Sequence, residues 1–301
     1  MENFLMRSLL FVPSHNDKLL KSALQTQADV LLLDIEDSVQ PKENKQVARD
    51  KILQLVKNGQ LDDRVVFPRV NDRESGHLLQ DVYQLTIEGI NGFMYPKAKT
   101  AEDIYFFDKL LETIEFEKGM PIGAFKIIAL IETAAAVMNV QEICRASKRL
   151  VAVAYGSEDF ISDLEGIHDD EHLSLFTPRA MIAMGARAQG IIPIDTVHVN
   201  VHDLEDLEQN ISLSKKLGFE GMLALNPKEL DLIHQYYSPS EEEYLNALDL
   251  FELSKKATME GKGVAIMNGK FIGPPMILKA KKIIDKKMLI QRTQENCNNK
   301  K

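Results

Sequence analysis

The sequence predicts a TIM (β/α)8 barrel with a C-terminal helical and hairpin extension. Three observations carry that prediction. Short, continuous apolar runs recur about eight times, each followed by a segment of helical length, as in repeated βα units. Two successive runs close on acidic residues, Glu132 after Lys126-Ile-Ile-Ala-Leu-Ile and Asp159 after Leu150-Val-Ala-Val-Ala-Tyr-Gly-Ser-Glu. Neither a G-x-G-x-x-G loop nor a G-x-x-x-x-G-K-[ST] loop follows any run, which weakens nucleotide-binding folds.

The runs fall at residues 9–13, 30–35, 65–70, 92–96, 127–131, 151–155, 196–199 and 221–225. Each is continuous instead of alternating, the pattern of parallel strands buried on both faces. Between them, 46–56 and 104–114 carry apolar residues at helical spacing, while 134–143 and 179–188 follow the fifth and sixth runs as helices. Eight units in roughly 230 residues fit a closed barrel. A doubly wound open sheet is the alternative, but it usually needs fewer strands and a crossover point.

After Asn226-Pro227 the character changes. Ser240-Glu-Glu-Glu243 is a capping box opening a helix to about residue 259. The glycine-rich stretch 261–275 predicts a turn or hairpin, and 276–291 a basic amphipathic helix. The expected organisation is a barrel over 1–237, an extension over 238–295, and a frayed tail over 296–301. The extension is either an arm packing on the barrel or a lid used between subunits.

Composition narrows the function. The 301 residues carry a formal net charge of −9, and the only Lys-rich stretch, 279–287, suits the wet face of a helix, so nucleic acid is not the expected partner. Two cysteines, Cys144 and Cys297, are too few for a disulfide framework and point to the cytosol. No apolar run has transmembrane length and the N-terminus lacks a secretory signal, so no membrane association is expected.

Chemistry in such a barrel gathers at the carboxyl ends of the strands. The expected mouth holds Ser14 and His15, then Asp34, Glu36, Asp37 and Ser38, then Arg69 and Asn71, Lys97, Glu132, Glu158 and Asp159, His198 and Asn200, and Asn226. Glu132 and Asp159 suit a hard divalent cation such as Mg²⁺, which takes few protein ligands; the plain alternative is solvated strand ends or a helix-capping carboxylate. Arg69 offers a planar fork for a ligand carboxylate, or an internal ion pair with Glu36 or Asp37. Lys97 points at a phosphate or braces an acidic neighbour. Asp34 reads as structural, facing back into the barrel. His15 and His198 read as surface or core residues, no Cys/His cluster has zinc spacing, and Ser157 lies in no G-x-S-x-G elbow. A cation beside an arginine suggests a small acid held at its carboxylate.

These pieces occur together and in order: Arg7-Ser-Leu-Leu-Phe-Val-Pro13, Asp34-Ile-Glu-Asp-Ser-Val39, Arg69-Val-Asn71, Pro96-Lys97, Glu132, and Gly156-Ser-Glu-Asp159. The chain thereby resembles the citrate lyase β-subunit group of the HpcH/HpaI aldolase superfamily, which includes citryl-, malyl- and citramalyl-CoA lyases. The resemblance runs to about residue 284. It implies a TIM barrel, Mg²⁺ on Glu132 and Asp159, a 2-oxo acid gripped by Arg69, and a thioester on CoA or an acyl carrier protein. It also implies a homotrimer or other homo-oligomer, citrate lyase complex subunits as possible partners, and Arg7, Lys45, Arg49 and Lys97 around the thioester arm. The reaction implied is cleavage of a 3-hydroxyacyl thioester to a 2-oxo acid and an acyl thioester. The alternatives are a thioesterase or lyase on another acyl thioester, and a weakly active ligand-binding or assembly subunit. One departure stands out. The family motif Asn-Gly-Lys-x-[Ile/Val]-Asp-x-Pro is here Asn268-Gly-Lys-Phe-Ile-Gly273-Pro-Pro275, with Gly273 in place of an acid/base aspartate. Asn200 likewise stands where an aspartate is common. Glu36, Asp37 or a metal-bound water is the expected substitute for the missing proton-transfer group.

Overall fold

A computed structural model describes residues 4–167, 173–200, 202–259, 265–267 and 270–298. The elements run β1 (Ser8–Pro13), α1 (Asp17–Leu24), β2 (Val30–Asp34), α2 (Asn44–Lys57), β3 (Val65–Val66), α3 (Leu78–Leu85), β4 (Gly92–Tyr95), α4 (Ala101–Glu117), β5 (Lys126–Ile131), α5 (Ala134–Met138), α6 (Val140–Arg145), β6 (Leu150–Tyr155), α7 (Ser157–Leu164), α8 (Leu173–Ala188), β7 (Ile192–Asp195), α9 (Leu204–Leu217), β8 (Gly221–Ala224), α10 (Leu230–Tyr237), α11 (Glu241–Met259), β9 (Ala265–Met267), β10 (Lys270–Ile272) and α12 (Pro274–Asn298). By contacts the chain divides into two units, Met6–His234 and Met1–Leu5 with Gln235–Lys301.

The larger unit is the barrel. Its eight strands are parallel and ordered β3-β2-β1-β8-β7-β6-β5-β4. The ring closes between β3 and β4 through Arg69, which bridges both Asp34 and Met94, with Met94 N–H donating to Pro68 O at 2.9 Å. The expected strand at 65–70 is therefore regular only at Val65–Val66. Pro68 has no N–H to continue a ladder, and single bridges replace it. Buried Leu, Ile and Val fill the strands; β2 is buried at every position.

Three expectations changed. The seventh strand is 192–195, and the run at 196–199 is the loop after it. Pro193 and Asp195 argue against a strand in sequence. Pro193 pairs across to Val153 without needing its own donor, and Asp195 is neutralised by Arg179 of α8 at 2.6 Å. The helix expected over 134–143 breaks at Asn139, whose ψ of 7° and side-chain bond to Lys99 O separate α5 from α6. The helix expected over 179–188 is longer at its start, Leu173–Ala188, with Pro178 in its second turn, and α7 precedes it.

In the smaller unit, Ser240 and Glu243 form the expected capping box, with bonds of 2.9 and 3.0 Å. The hairpin is β9 with β10, antiparallel, and Ala257 and Ile272 form a small core with Leu250, Leu253 and Ile277. Residues 261–264, 268 and 269 of the expected glycine-rich stretch lie outside the described residues. The last helix starts at the Pro274-Pro275 pair, prolines suiting a first turn, and continues to Asn298, past the expected fraying point. Among the described residues no helix is long and apolar enough to cross a membrane.

One buried ion-pair network ties the barrel's outer layer. Arg149, before β6, bonds Glu115 of α4 at 2.6 Å, Asp108 at 2.5 Å and Phe125 O at 3.1 Å, while Glu115 also accepts from Gly123 and Phe125 N–H. Arg149→Met strands the fully buried Glu115 carboxylate and is expected to cost about 3–5 kcal/mol by denaturant unfolding; a loss below about 1 kcal/mol contradicts the role given to this network.

Candidate active site

Asp34 ends β2 fully buried. Its carboxylate accepts Arg69 Nε and Nη2, each at 2.7 Å, the Glu36 N–H at 3.0 Å, the Ser38 N–H at 3.2 Å and the Ser38 hydroxyl. Burial alone pulls this carboxyl upward, but Arg69 and the hydrogen bonds more than offset it, so it stays below the usual carboxylate range. Arg69 is the most committed side chain of the mouth. Its fork is spent on Asp34, its Nη1 lies 3.0 Å from Glu36 Oε2 and 3.7 Å from Asp37 Oδ2, and its plane covers the Phe11 ring at 4.7 Å. The sequence offered Glu36 or Asp37 as internal partners; Asp34 is the principal one.

Glu36 is enclosed between two cations, with Lys97 Nζ 2.8 Å from Oε1. Neither carboxylate oxygen has an aligned hydrogen bond. Burial pushes this acid up to about 7 against the pull of Arg69 and Lys97. Lys97 also lies 3.7 Å from Asp72 and 3.9 Å from Asp37, so it braces acids as one of its two expected roles allowed. Its backbone is left-handed, φ 55°, unusual for a lysine. That turn aims the Lys97 N–H at Glu132 Oε1, 2.6 Å away.

Glu132, just after β5, is buried, with Oε1 taken by that amide. Burial first, then the charges of Glu36 and Asp159, hold its carboxyl well above the usual range. Gly156 makes room for it: a Cβ there would sit 2.9 Å from Glu132 Cβ and 3.1 Å from Oε2. Asp159 is on the first turn of α7, exposed, and its helix start is tied to the loop after β7 through Ser157 and Thr196, whose hydroxyls lie 2.7 Å apart. Among the described residues no three His, Cys, Asp or Glu side chains cluster as a metal cage. Two carboxylates, one of them buried with an oxygen left over, are a donor set that fits a hard cation completing its shell with water or substrate.

Both carboxylates and Arg69 line one cavity of about 410 Å³. Its wall is two-faced. The β2, β3, β5 and β6 side carries Asp34, Ser38, Arg69, Glu132, Glu158 and Asp159; the β7, β8 and β1 side carries Val197, Val199, Leu223, Leu225, Phe11 and Pro13. Sequence reasoning missed that apolar side, because its residues read as ordinary strand core, and missed the packing role of Gly156.

Several expected site residues are elsewhere. Arg7 is at the amino end of β1, about 20 Å from the mouth at ~3.3 Å per residue, and its side chain pairs with Asp29 at 2.7 and 2.9 Å. Lys45 is buried and clamps the Ile35 and Glu36 carbonyls at 2.8 and 2.5 Å. Arg49 is buried against Asp81 and Gln80. None of the three lines the cavity; each is satisfied internally. Glu36, Asp37 and Lys97 do not line it; Glu36 and Asp37 stand beside Arg69, with Glu36 buried and Asp37 exposed. His198 is buried on Asp206 at 2.7 Å, and Asn226 caps the turn after β8.

A parallel barrel with acids and one arginine converging on the carboxyl ends of its strands defines the class of protein. The HpcH/HpaI aldolase/citrate lyase family model matches residues 7–227, and the chain belongs to that family. It is similar to the citrate lyase subunit beta of Haemophilus influenzae, 32% identical over 94% of this chain and 97% of that one. It is also similar to the L-malyl-CoA/beta-methylmalyl-CoA lyase of Rhodobacter capsulatus, 29% identical over 93% and 94%. Among solved structures, the Mycobacterium tuberculosis CitE protein in complex with magnesium, acetoacetate and coenzyme A superposes with a TM-score of 0.71 at 23% identity, covering 94% of this chain and 98% of that one. A Burkholderia xenovorans citrate lyase gives 0.80 at 19%, covering 96% and 92%. At these identities the structural likeness speaks to the fold.

Gly156→Ala tests the packing behind Glu132. It is expected to displace the carboxylate and weaken Mg²⁺ uptake, read by calorimetry, by about 10–100-fold. Unchanged affinity contradicts that account.

Proposed function

We propose that this chain is a carbon–carbon lyase that cleaves a 3-hydroxyacyl thioester to a 2-oxo acid and a shorter acyl thioester, with Mg²⁺ held by Glu132 and Asp159. The observation that carries the proposal is the pairing of these two carboxylates with Arg69 around one cavity. The lyase names of the relatives support it, as do the magnesium, acetoacetate and coenzyme A held by the similar Mycobacterium tuberculosis protein. Mg²⁺, when bound, supplies a Lewis acid for the substrate's hydroxyl and carboxylate oxygens.

The residues do the rest by position. In the reaction the hydroxyl proton leaves, the C–C bond breaks, its electron pair stays on the carbon next to the thioester, and a proton returns to that carbon. Arg69 lines the cavity as a fixed positive charge and orients the 2-oxo acid carboxylate, a proximity effect worth several kcal/mol. Its fork is held by Asp34, so it acts with its remaining face and its charge. Lys97, through its backbone N–H, fixes Glu132. Glu132 and Arg69 are themselves buried at the polar end, while Asp159 there is exposed. The thioester is carried by CoA or by a carrier-protein arm, and a cytosolic homo-oligomer is the setting we propose.

A second reading, a binding or assembly subunit with weak turnover, is favoured by one observation, Gly273, which has no side chain to move a proton. Incubating the protein and Mg²⁺ with citryl-, malyl- and citramalyl-CoA separates the two. Release of a 2-oxo acid over many turnovers supports the lyase; ligand binding without turnover supports the second reading. Glu132→Gln and Asp159→Asn are each expected to abolish Mg²⁺-dependent 2-oxo acid binding with the fold retained by circular dichroism; unchanged binding in both removes the metal site. Arg69→Lys keeps the charge but loses the fork that Asp34 holds, so the charge no longer has a fixed position at the cavity wall, and the 2-oxo acid is expected to bind about 1–3 kcal/mol more weakly. An Arg69→Lys protein that binds as the parent does makes Arg69 purely structural.

A further inference from the structure

The two-faced cavity selects among substrates. We infer that the 2-oxo acid half carries a short alkyl group, as in pyruvate and 2-oxobutyrate, and not a second carboxylate, as in oxaloacetate; this rests on the lyase reading above. Two observations carry it. The first is the charge census. Among the described residues lining the cavity, Arg69 is the one cation, against Asp34, Glu132, Glu158 and Asp159. Every nitrogen of that guanidinium already faces a carboxylate, Nε and Nη2 on Asp34 and Nη1 on Glu36. The next cation, Lys97, lies outside the wall and is spent on Glu36. With a Mg²⁺ on Glu132 and Asp159 and the charge of Arg69, the site answers one carboxylate. A second would be desolvated without a partner, which is costly.

The second observation is the wall opposite the acids. Phe11, Val197, Leu223 and the rim residues Leu19, Val199 and Leu225 are apolar, and the uncharged hydroxyl of Ser22 beside Leu19 is the polar group among them. The rim three are exposed at 42%, 50% and 44%, large apolar groups ringing one opening. A methyl or ethyl substituent gains by covering them; a carboxymethyl substituent gains nothing from them and gives up part of its hydration. The substrate class is therefore a thioester whose hydroxyl-bearing carbon holds one carboxylate and an apolar substituent, cleaved to a 2-oxo monocarboxylate.

Calorimetry at saturating Mg²⁺ with pyruvate, 2-oxobutyrate and oxaloacetate tests this. The monocarboxylates are expected to bind at least about tenfold tighter than oxaloacetate. Val199→Arg places a cation on the exposed rim and is expected to close or reverse that gap, with the fold retained by circular dichroism. Oxaloacetate binding as tightly as pyruvate in the parent overturns the inference, and a Val199→Arg protein that still discriminates as the parent does removes the apolar wall as its cause. Parallel lyase assays keep the two claims apart. Preferred cleavage of the citryl over the citramalyl thioester overturns the inference and leaves the lyase reading standing. Selective monocarboxylate binding with no thioester cleaved does the reverse. No 2-oxo acid bound and no thioester cleaved overturns both.

Discussion

The buried pair of Asp34 and Arg69 is the constraint on which the rest of the mouth depends. It joins the end of β2 to the stretch after β3 and, through the Arg69 bridge to Met94, closes the ring where Pro68 interrupts the ladder. The same carboxylate gathers the Glu36 and Ser38 amides and so shapes the loop leading to α2. An ion pair this buried is poor evidence of stability by itself, because desolvation of both partners offsets their attraction. Its worth is geometric: it fixes a positive charge at the cavity wall in one orientation. Arg69 then sets the environment of Glu36, Glu36 that of Lys97, and the Lys97 backbone that of Glu132.

That chain of contacts concentrates negative charge where water is scarce. Glu132 and Glu36 are both held above the ordinary carboxylate range, chiefly by burial. Gathered acids, one of them kept against a glycine with one oxygen unclaimed, are the feature on which the proposed cation site rests. The left-handed turn at Lys97 belongs to the same device: strained backbone persists where its surroundings over-determine it, and here it presents an amide to a carboxylate.

Much of this was legible in the chain. The barrel followed from continuous apolar runs, since parallel strands covered on both faces need no alternation, and Glu132 and Asp159 were visible because each closes such a run. What sequence spacing conceals is the partner of a charge. The family resemblance puts Arg7, Lys45 and Arg49 near the thioester arm; the fold has Arg7 at the opposite end of its strand and the other two clamping backbone carbonyls and Asp81. The seventh strand was misplaced because Pro193 and Asp195 break the pattern locally and are rescued by neighbours distant in sequence. The apolar side of the cavity was invisible because Val197, Leu223 and Phe11 are indistinguishable, as letters, from core.

The central claim is that the mouth holds one divalent cation with room for a substrate beside it. Water-proton relaxation with Mn²⁺, which accepts the same oxygen ligands as Mg²⁺, tests this most directly. The account predicts one Mn²⁺ per chain, strong relaxation enhancement from its retained waters, and a fall in that enhancement when pyruvate is added and displaces them. Absence of bound Mn²⁺, or an enhancement that pyruvate leaves unchanged, contradicts it.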